Sequence, residues 1–174
     1  MFRTHTANGC ITAPALAISS TASMVSWGSI FKFRAAGRIS ATIAAASMST
    51  TAQGLAKAAL VAPYPSGTAS VAGALKTNYY RIYTLVGTLP TATTAASTLA
   101  TATPTFSWLA SADYDATADI VNLDNAPLPD ASNQAAIGFV IIQNMSGSDF
   151  TPGTTALTAV TTTYVDNIYA QIGA

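Results

Sequence analysis

Glutamate is absent from this chain of 174 residues, and only 8% of its residues carry a charge. Typical soluble domains have roughly 25% charged residues, and free monomers carry a net charge of roughly 2–8. The formal net charge here is zero, which indicates that much of the surface is covered by other protein chains. Seven Lys and Arg residues are too few to neutralise a run of phosphates, so we expect no nucleic-acid partner.

Cysteine and histidine occur once each, as Cys10 and His5. A single cysteine excludes an internal disulfide framework, and a zinc site would need three or four such ligands. Cys10 and His5 could form a nucleophile and its base, but nothing in the sequence orients the pair. Ser132 and Ser146 lack the context of a nucleophile elbow, and no phosphate-binding loop is present. The sequence predicts that the protein is not an enzyme and has no catalytic, cofactor or metal site.

Long apolar runs are missing as well. The longest strongly apolar run, residues 135–142, is interrupted by Gly138 and is far shorter than the ~20 residues that span a bilayer. We therefore expect no membrane partner. Leu, Ile, Val and Phe still supply 37 residues, just above the ~20% below which highly charged chains stay disordered. With zero net charge, the chain should fold.

Alanine, threonine and serine dominate the composition, with 36, 26 and 16 residues, and larger apolar residues alternate with small or polar ones in several places. Alternation with a period of two is typical of half-buried strands. It occurs in residues 29–34 and again in residues 38–43, on either side of a short link that contains glycine. This pattern predicts a β-hairpin, in which Ile39, Ala41 and Ile43 share one face.

Runs of β-branched and aromatic residues favour further strands. We predict them at residues 78–86, 137–145 and 158–166, and the second is apolar enough to be buried on both faces. Clusters of Pro, Gly, Ser and Asp predict the turns between strands: Pro63–Gly67, Ser146–Asp149 and Pro152–Gly153. Residues 44–62 are rich in alanine and could contain one short helix, although Gly54 and a Ser/Thr cluster weaken this prediction.

Short strands separated by many turns predict a mainly β protein. We expect a single β-sandwich or jelly-roll-like domain over residues 30–174, with a long loop in the Thr/Ala-rich stretch at about 88–105. Residues 1–29 contain Pro14 and show no clear amphipathic period. They predict an extended N-terminal arm, held by a neighbouring subunit because such a segment cannot easily form a core by itself.

Acidic residues cluster in one stretch. Asp113, Asp115, Asp119 and Asp124 fall at positions 1, 3, 7 and 12 of a possible calcium loop. The glycine that such a loop needs at position 6 is Ala118 here, and the usual glutamate at position 12 is missing. A solvated acidic loop is the simpler interpretation, and calcium binding stays open.

Charges of opposite sign are segregated along the chain. All seven Lys and Arg residues lie within the first 81 residues, and all seven Asp residues lie from Asp113 onward. The two halves could attract each other within one subunit or between neighbours, or the segregation could be an accident of low charge density.

Aromatic residues form another candidate surface. They could bind a sugar or a protein, but aromatic residues on strands more often pack in the core. The residues concerned are Tyr79, Tyr80, Tyr83 and Trp108.

Segments near both ends of the chain resemble small structural proteins of tailed-bacteriophage virions. At the C-terminal end these segments are Ala136–Asn144, Phe150–Leu157 (FTPGTTAL) and Thr161–Asp166; at the N-terminal end they are Ile11–Ile18 and Phe31–Arg38. Together they cover about half of the chain, and FTPGTTAL is the most specific of them. The resemblance implies a decoration or cement protein on the capsid surface that binds the major capsid protein and forms a homo-oligomer on the particle.

Two alternatives belong to other functional classes. A head-fibre or tail-associated adhesin would turn the Thr/Ala-rich loop and the aromatic residues toward host surface glycans. A calcium-dependent hydrolase is the third and weakest alternative, because only the acidic cluster supports it.

Overall fold

The computed structural model describes residues 8–50, 73–90, 103–118 and 120–167. The predicted turn at Pro63–Gly67 and most of the Thr/Ala-rich loop lie outside these ranges. Within them the chain is mainly β, with eleven strands, two 3₁₀ turns at Leu123–Asn125 and Leu157–Ala159, and no α-helix. In chain order the strands are β1 (Gly9–Cys10), β2 (Leu16–Ile18), β3 (Met24–Trp27), β4 (Phe33–Ala35), β5 (Arg38–Ile39), β6 (Ala46–Ser49), β7 (Tyr79–Thr88), β8 (Thr105–Ala110), β9 (Tyr114–Asp115), β10 (Gln134–Asn144) and β11 (Thr161–Asp166).

One layer of the fold is a five-stranded antiparallel sheet in the order β11-β10-β7-β8, and β9 pairs with β7 beyond the end of β8. β10 pairs with both β7 and β11, so it is a central strand and is buried along most of its length. The strands predicted at 78–86, 137–145 and 158–166 are thereby confirmed as β7, β10 and β11.

Two three-stranded sheets, β1-β4-β5 and β2-β3-β6, form the opposing layer. The predicted hairpin is confirmed as β4 and β5, with Arg34 opposite Ile39. Ala36 and Gly37 form its turn with φ of 51° and 74°, the positive values that a tight two-residue hairpin turn requires.

The predicted face of Ile39, Ala41 and Ile43 is wrong. β5 ends at Ile39, which is 49% exposed, whereas Ile43 is 8% exposed. Ser40 is buried and still follows the alternation, and its hydroxyl accepts a hydrogen bond from the backbone N–H of Phe33 and donates one to the carbonyl of Ala41. The alternation is lost in residues 41–43, which lie beyond the end of β5. A strand that leaves its pleat no longer places alternate residues on one side.

The helix expected within residues 44–62 is not found in their described part, residues 44–50. Ala46–Ser49 instead form β6, which pairs with β3 from Met24 to Trp27. The edge of β3 offers backbone hydrogen-bonding partners, and tertiary pairing of this kind overrides the high intrinsic helix propensity of alanine.

Residues 8–29 belong to the packed domain. The expectation of an extended arm rested on their having no core residues, but Cys10, Leu16, Val25 and Trp27 all lie in the hydrophobic core. β3 alternates partly buried and buried residues from Met24 to Trp27. A neighbouring subunit is therefore not needed to hold residues 8–29, because the chain's own sheets pair with them and cover them.

The main core fills the space between the two layers. Its members from the large sheet include Tyr83, Leu85, Val140 and Ile142. A bulge between Ala136 and Gly138 shifts the register of β10. A bulge inserts one extra residue. The residues of β10 that face the core therefore have odd numbers before the bulge and even numbers after it.

A second, smaller cluster lies on the other face of the large sheet. Tyr80, Ile82 and Ile141 form it, and the segment that follows β9 covers it with Val121 and Ala126. The large sheet is thus covered on both faces, by the small sheets on one side and by this segment on the other.

Candidate functional site

An ion pair is buried in the core near the start of β7, where Arg81 is the third residue of the strand. The Nε of Arg81 donates to one carboxylate oxygen of Asp113, and Nη2 donates to the other at 2.9 Å. The side chains are 1% and 0% exposed. Asp113 lies in the link between β8, which ends at Ala110, and β9, which begins at Tyr114. Ser111 and Asp113 of this link are buried, whereas Ala112 is exposed.

The remaining donors of Arg81 are satisfied as well. Nη1 donates to the carbonyl of Gly73 and to the hydroxyl of Tyr83, both at 2.9 Å, and Nη2 also donates to the carbonyl of Ala74 at 3.4 Å. All five N–H groups of the guanidinium therefore have acceptors. Burial alone would lower the pKa of Arg81, but the hydrogen bond and charge of Asp113 oppose this and the pKa is raised.

This network is structural in character. It ties the segment at Gly73–Ala74 and the link between β8 and β9 to the centre of the large sheet. Both oxygens of Asp113 face Arg81, so the possible calcium loop lacks its first ligand. Asp119 lies outside the described residues, and Asp115 accepts hydrogen bonds within its own turn.

A polar cleft of about 460 Å³ opens beside the start of β7. Asn78 turns the chain there with φ of 68°. Lys76 and Asp149 form an ion pair on one wall, with 2.6 Å between Nζ and Oδ2. The lining residues are Lys76, Thr77, Asn78, Tyr79, Asp115, Thr117 and Asp149.

The chemistry of this cleft favours polar contacts over catalysis. The hydroxyl and backbone N–H of Thr117 donate to Asp115 at 2.7 and 2.8 Å and lower the pKa of its carboxyl group. Asp115 therefore stays ionised near neutral pH and is a poor proton donor. Lys76 and Asp149 already neutralise each other, so the cleft can hold a polar group but offers no matched acid and base.

The structure does not support the other candidate residues of the sequence as a reactive site. Cys10 is fully buried, and its thiol lies 3.5 Å from the carbonyl of Ile137. Burial, with a contribution from the charge of Asp166, raises the pKa of Cys10 to about 12, so the thiolate that attacks electrophiles is not formed near neutral pH. His5 lies outside the described residues. The hydroxyl of Ser146 is held by Asn144 and Ser148.

The four aromatic residues of the candidate surface are buried inside the protein, as the simpler interpretation predicts. Tyr80, Tyr83 and Trp108 are each at most 1% exposed. Tyr83 meets Trp108 edge to face at 6.4 Å, and Tyr80 stacks on Tyr114 at 5.2 Å. Only Tyr79 reaches the polar cleft, and it is 9% exposed.

Sequence reasoning missed Arg81 and Asp166. Arg81 stands between Tyr80 and Ile82 in an apolar strand, and a charge in such a strand predicts a buried partner. Asp166 accepts hydrogen bonds from the backbone N–H groups of Ala15 and Leu16 at 3.2 and 3.0 Å. Nothing in the local sequence could reveal that contact, because it joins residues about 150 positions apart.

Comparison of the chain with protein-family models, curated proteins and solved structures finds no match. No helix among the described residues is long and apolar enough to cross a membrane. In the same ranges, no group of three or more His, Cys, Asp or Glu side chains could hold a metal ion. Function must therefore be inferred from this chain's own residues.

Proposed function

We propose that this chain is a structural virion protein that binds the outside of a phage capsid and reinforces it, as decoration or cement proteins do. The observation that carries the proposal is the resemblance of segments at both ends of the chain to small virion proteins. These segments include Ile11–Ile18 and Phe31–Arg38 on one side, and Ala136–Asn144 and Thr161–Asp166 on the other.

The contacts between these segments support the proposal, because the resembling segments pack as one unit. Leu16 of β2 lies against Gly138 of β10. Asp166 at the end of β11 holds the backbone of Leu16, and the backbone N–H of Cys10 donates to the carbonyl of Asn167 at 3.2 Å. Segments far apart in the sequence thus share one packed region.

Exposed apolar side chains supply the means of attachment. Met145 and Ile18 are 52% and 38% exposed. Fully burying such a side chain stabilises a complex by ~1.5–3 kcal/mol. A protein that binds the assembled shell better than free subunits stabilises that shell by linkage, so no chemical step is required.

The test compares capsids that contain this protein with capsids that lack it. Particles without the protein should assemble, but they should lose DNA at a lower temperature than complete ones. Adding the purified protein back should restore the release temperature. Equal release temperatures for the two kinds of particle would count against a reinforcing role.

Cryo-electron microscopy of intact particles separates this function from that of an adhesin. A decoration protein should occur over the head with a copy number comparable with that of the major capsid protein, whereas an adhesin should occur in a few copies at a tail or fibre. The burial of Tyr80, Tyr83 and Trp108 leaves the adhesin without the aromatic face that was expected to bind glycans.

A further inference from the structure

We propose that copies of this chain bind one another head to tail, through two faces that lie on opposite sides of the domain. The basic face consists of Ile11, Ile30, Lys32, Arg34 and Ile39. The acidic face consists of Ile120, Leu123, Asp124, Leu128 and Asp130. This contact goes beyond attachment to a capsid and does not depend on it, because it joins copies of the free protein.

The basic face is the outer surface of the sheet β1-β4-β5. Phe33 and Ala35 of β4 point into the core, so the alternating residues Lys32 and Arg34 point outward. Arg34 lies opposite Ile39 in the hairpin. Ile30, Ile39 and Ile11 are 66%, 49% and 41% exposed, and the backbone N–H of Ile11 donates to the carbonyl of Lys32 at 2.8 Å.

The positive charges of this face form no ion pair with any acidic residue that the structure describes. In the part of the chain that the structure describes, neither Lys32 nor Arg34 forms an ion pair, and the buried Nε of Arg34 donates to no acceptor. The first 112 residues contain no acidic residue, so the neighbouring strands of this sheet cannot supply one. Lys76 and Arg81, by contrast, are each bound to an aspartate.

The acidic face is the outer side of the segment that covers the second cluster. Val121 and Ala126 pack down onto the large sheet, and the carbonyl of Pro127 accepts a 2.6 Å hydrogen bond from the hydroxyl of Thr84. The exposed side chains of this segment include three apolar and two acidic ones. Ile120, Leu128 and Leu123 are 92%, 68% and 39% exposed, and the exposed Asp124 and Asp130 form no ion pair with any residue that the structure describes.

The two faces cannot meet within one subunit. The basic face lies outside the small sheet, whose inner side packs on the main core, whereas the acidic face covers the far side of the large sheet. Two sheets and the core therefore separate them. A symmetric contact of the basic face with itself would oppose like charges, which is unfavourable. Contact between the basic face of one copy and the acidic face of the next pairs opposite charges and buries isoleucine and leucine on both sides.

A contact between two different faces generates a ring if the rotation closes and an open chain if it does not. An open chain leaves one free face at each end and a closed ring leaves none, but in both products every contact joins two different faces. This property distinguishes the proposal from any symmetric dimer, and it can be tested with variants that block one face at a time.

The experiment uses two double variants of the full chain, measured by sedimentation velocity. Ile30→Ser/Ile39→Ser blocks the basic face, and Ile120→Ser/Leu128→Ser blocks the acidic face. All four side chains are at least 49% exposed, so circular dichroism should report a native fold for both variants. Met145→Ser is the matched control, because Met145 is 52% exposed and belongs to neither face.

The wild-type protein and Met145→Ser should associate as their concentration rises. Each double variant alone should raise the dissociation constant by about a hundredfold or more, since two apolar anchors are lost. A one-to-one mixture of the two double variants should form a dimer and nothing larger, because each supplies one intact face. Raising the salt concentration from ~0.1 M to ~1 M screens exposed pairs and should weaken wild-type association by about two- to thirtyfold.

Several results would overturn the proposal. The proposal is wrong if the wild-type protein stays monomeric at every concentration, or if the mixture of the double variants stays monomeric. It is also wrong if either double variant alone associates as strongly as the wild-type protein. Loss of association in Met145→Ser would place the contact elsewhere. The test needs no capsid, so its failure would leave the reinforcing role intact, and failure of that role would leave this contact intact.

Discussion

Leu16 packs directly against the backbone of Gly138, where the N-terminal strand β2 crosses the bulge in β10. A Cβ placed on Gly138 would collide with Cδ1 of Leu16 and would lie 2.8 Å from the carbonyl oxygen of Val165. The absence of a side chain at residue 138 therefore allows β2 to pack closely on the large sheet. This contact makes the N-terminal segment part of the domain.

Gly138→Ala should destabilise the protein. The backbone oxygen of Val165 cannot move aside easily, and overpacking of this kind costs ~1–3 kcal/mol. Urea unfolding followed by tryptophan fluorescence measures the loss. Gly147→Ala is the control, since a Cβ there meets nothing within 4 Å, and a surface change should stay within about 0.5 kcal/mol. Equal stabilities for the two variants would contradict the close packing of Leu16 on Gly138.

Leu16→Ala and Ile18→Ala test the place of β2 in the core. The two residues lie on the same strand, but Leu16 is 8% exposed and Ile18 is 38% exposed. Leu16→Ala should lower the free energy of unfolding by ~2–5 kcal/mol, and Ile18→Ala should change it much less. If both substitutions were nearly neutral, residues 8–29 would be an arm of the kind that the sequence predicts.

Asp113→Ala should be among the most destabilising single substitutions. It leaves the buried guanidinium of Arg81 without its counter-charge, and breaking a buried pair costs ~3–5 kcal/mol. Asp149→Ala removes the partner of Lys76 at a more exposed site, where an ion pair contributes ~0–1 kcal/mol. Urea unfolding of both variants should separate these values clearly. Similar small losses would show that Arg81 finds other acceptors.

Replacing Arg81 and Asp113 together offers a further check. Arg81→Met/Asp113→Leu removes both charges, so the cost should be smaller than that of Asp113→Ala alone. Adding the single variants Arg81→Met and Asp113→Leu completes a double-mutant cycle, which isolates the coupling between the two residues. A double variant that is less stable than Asp113→Ala would indicate that the hydrogen bonds to Gly73, Ala74 and Tyr83 matter more than the ion pair.

The thiol of Cys10 makes stability depend on pH in the alkaline range. Its pKa is about 12 in the folded protein against an ordinary value of 9.0, so the folded state retains the proton more strongly than the unfolded state. The contribution of this thiol to the free energy of unfolding should therefore be fully present below pH 9. It should be lost as the pH rises from 9 to about 12.

Cys10→Ala provides the control for this pH dependence. The decline of unfolding free energy above pH 9 should be smaller in the variant, although buried tyrosines such as Tyr83, whose pKa is also raised by burial, still contribute. The native wild-type thiol should react with a disulfide reagent only after unfolding. Rapid labelling of the native protein near neutral pH would contradict the burial of Cys10.

The sequence by itself determined the features that depend on neighbouring residues. Alternation and the Ala36–Gly37 turn determined the hairpin of β4 and β5, and the dense apolar run determined the buried strand β10. The zero net charge and the segregation of Lys and Arg from Asp are also properties of the sequence alone. Side-chain periodicity and turn chemistry act over a few residues, so they can be recognised without a partner strand.

Only the tertiary structure decided the features that depend on distant partners. Ala46–Ser49 became a strand because the edge of β3 was available, and Arg81 could be buried because Asp113 was placed beside it. The segregated charges gained a possible use only when folding placed Lys32 and Arg34 on one side of the domain and Asp124 and Asp130 on the other. Register, burial and the direction of a face are set by which strands pair and which surfaces pack, and no local pattern in the chain encodes that choice.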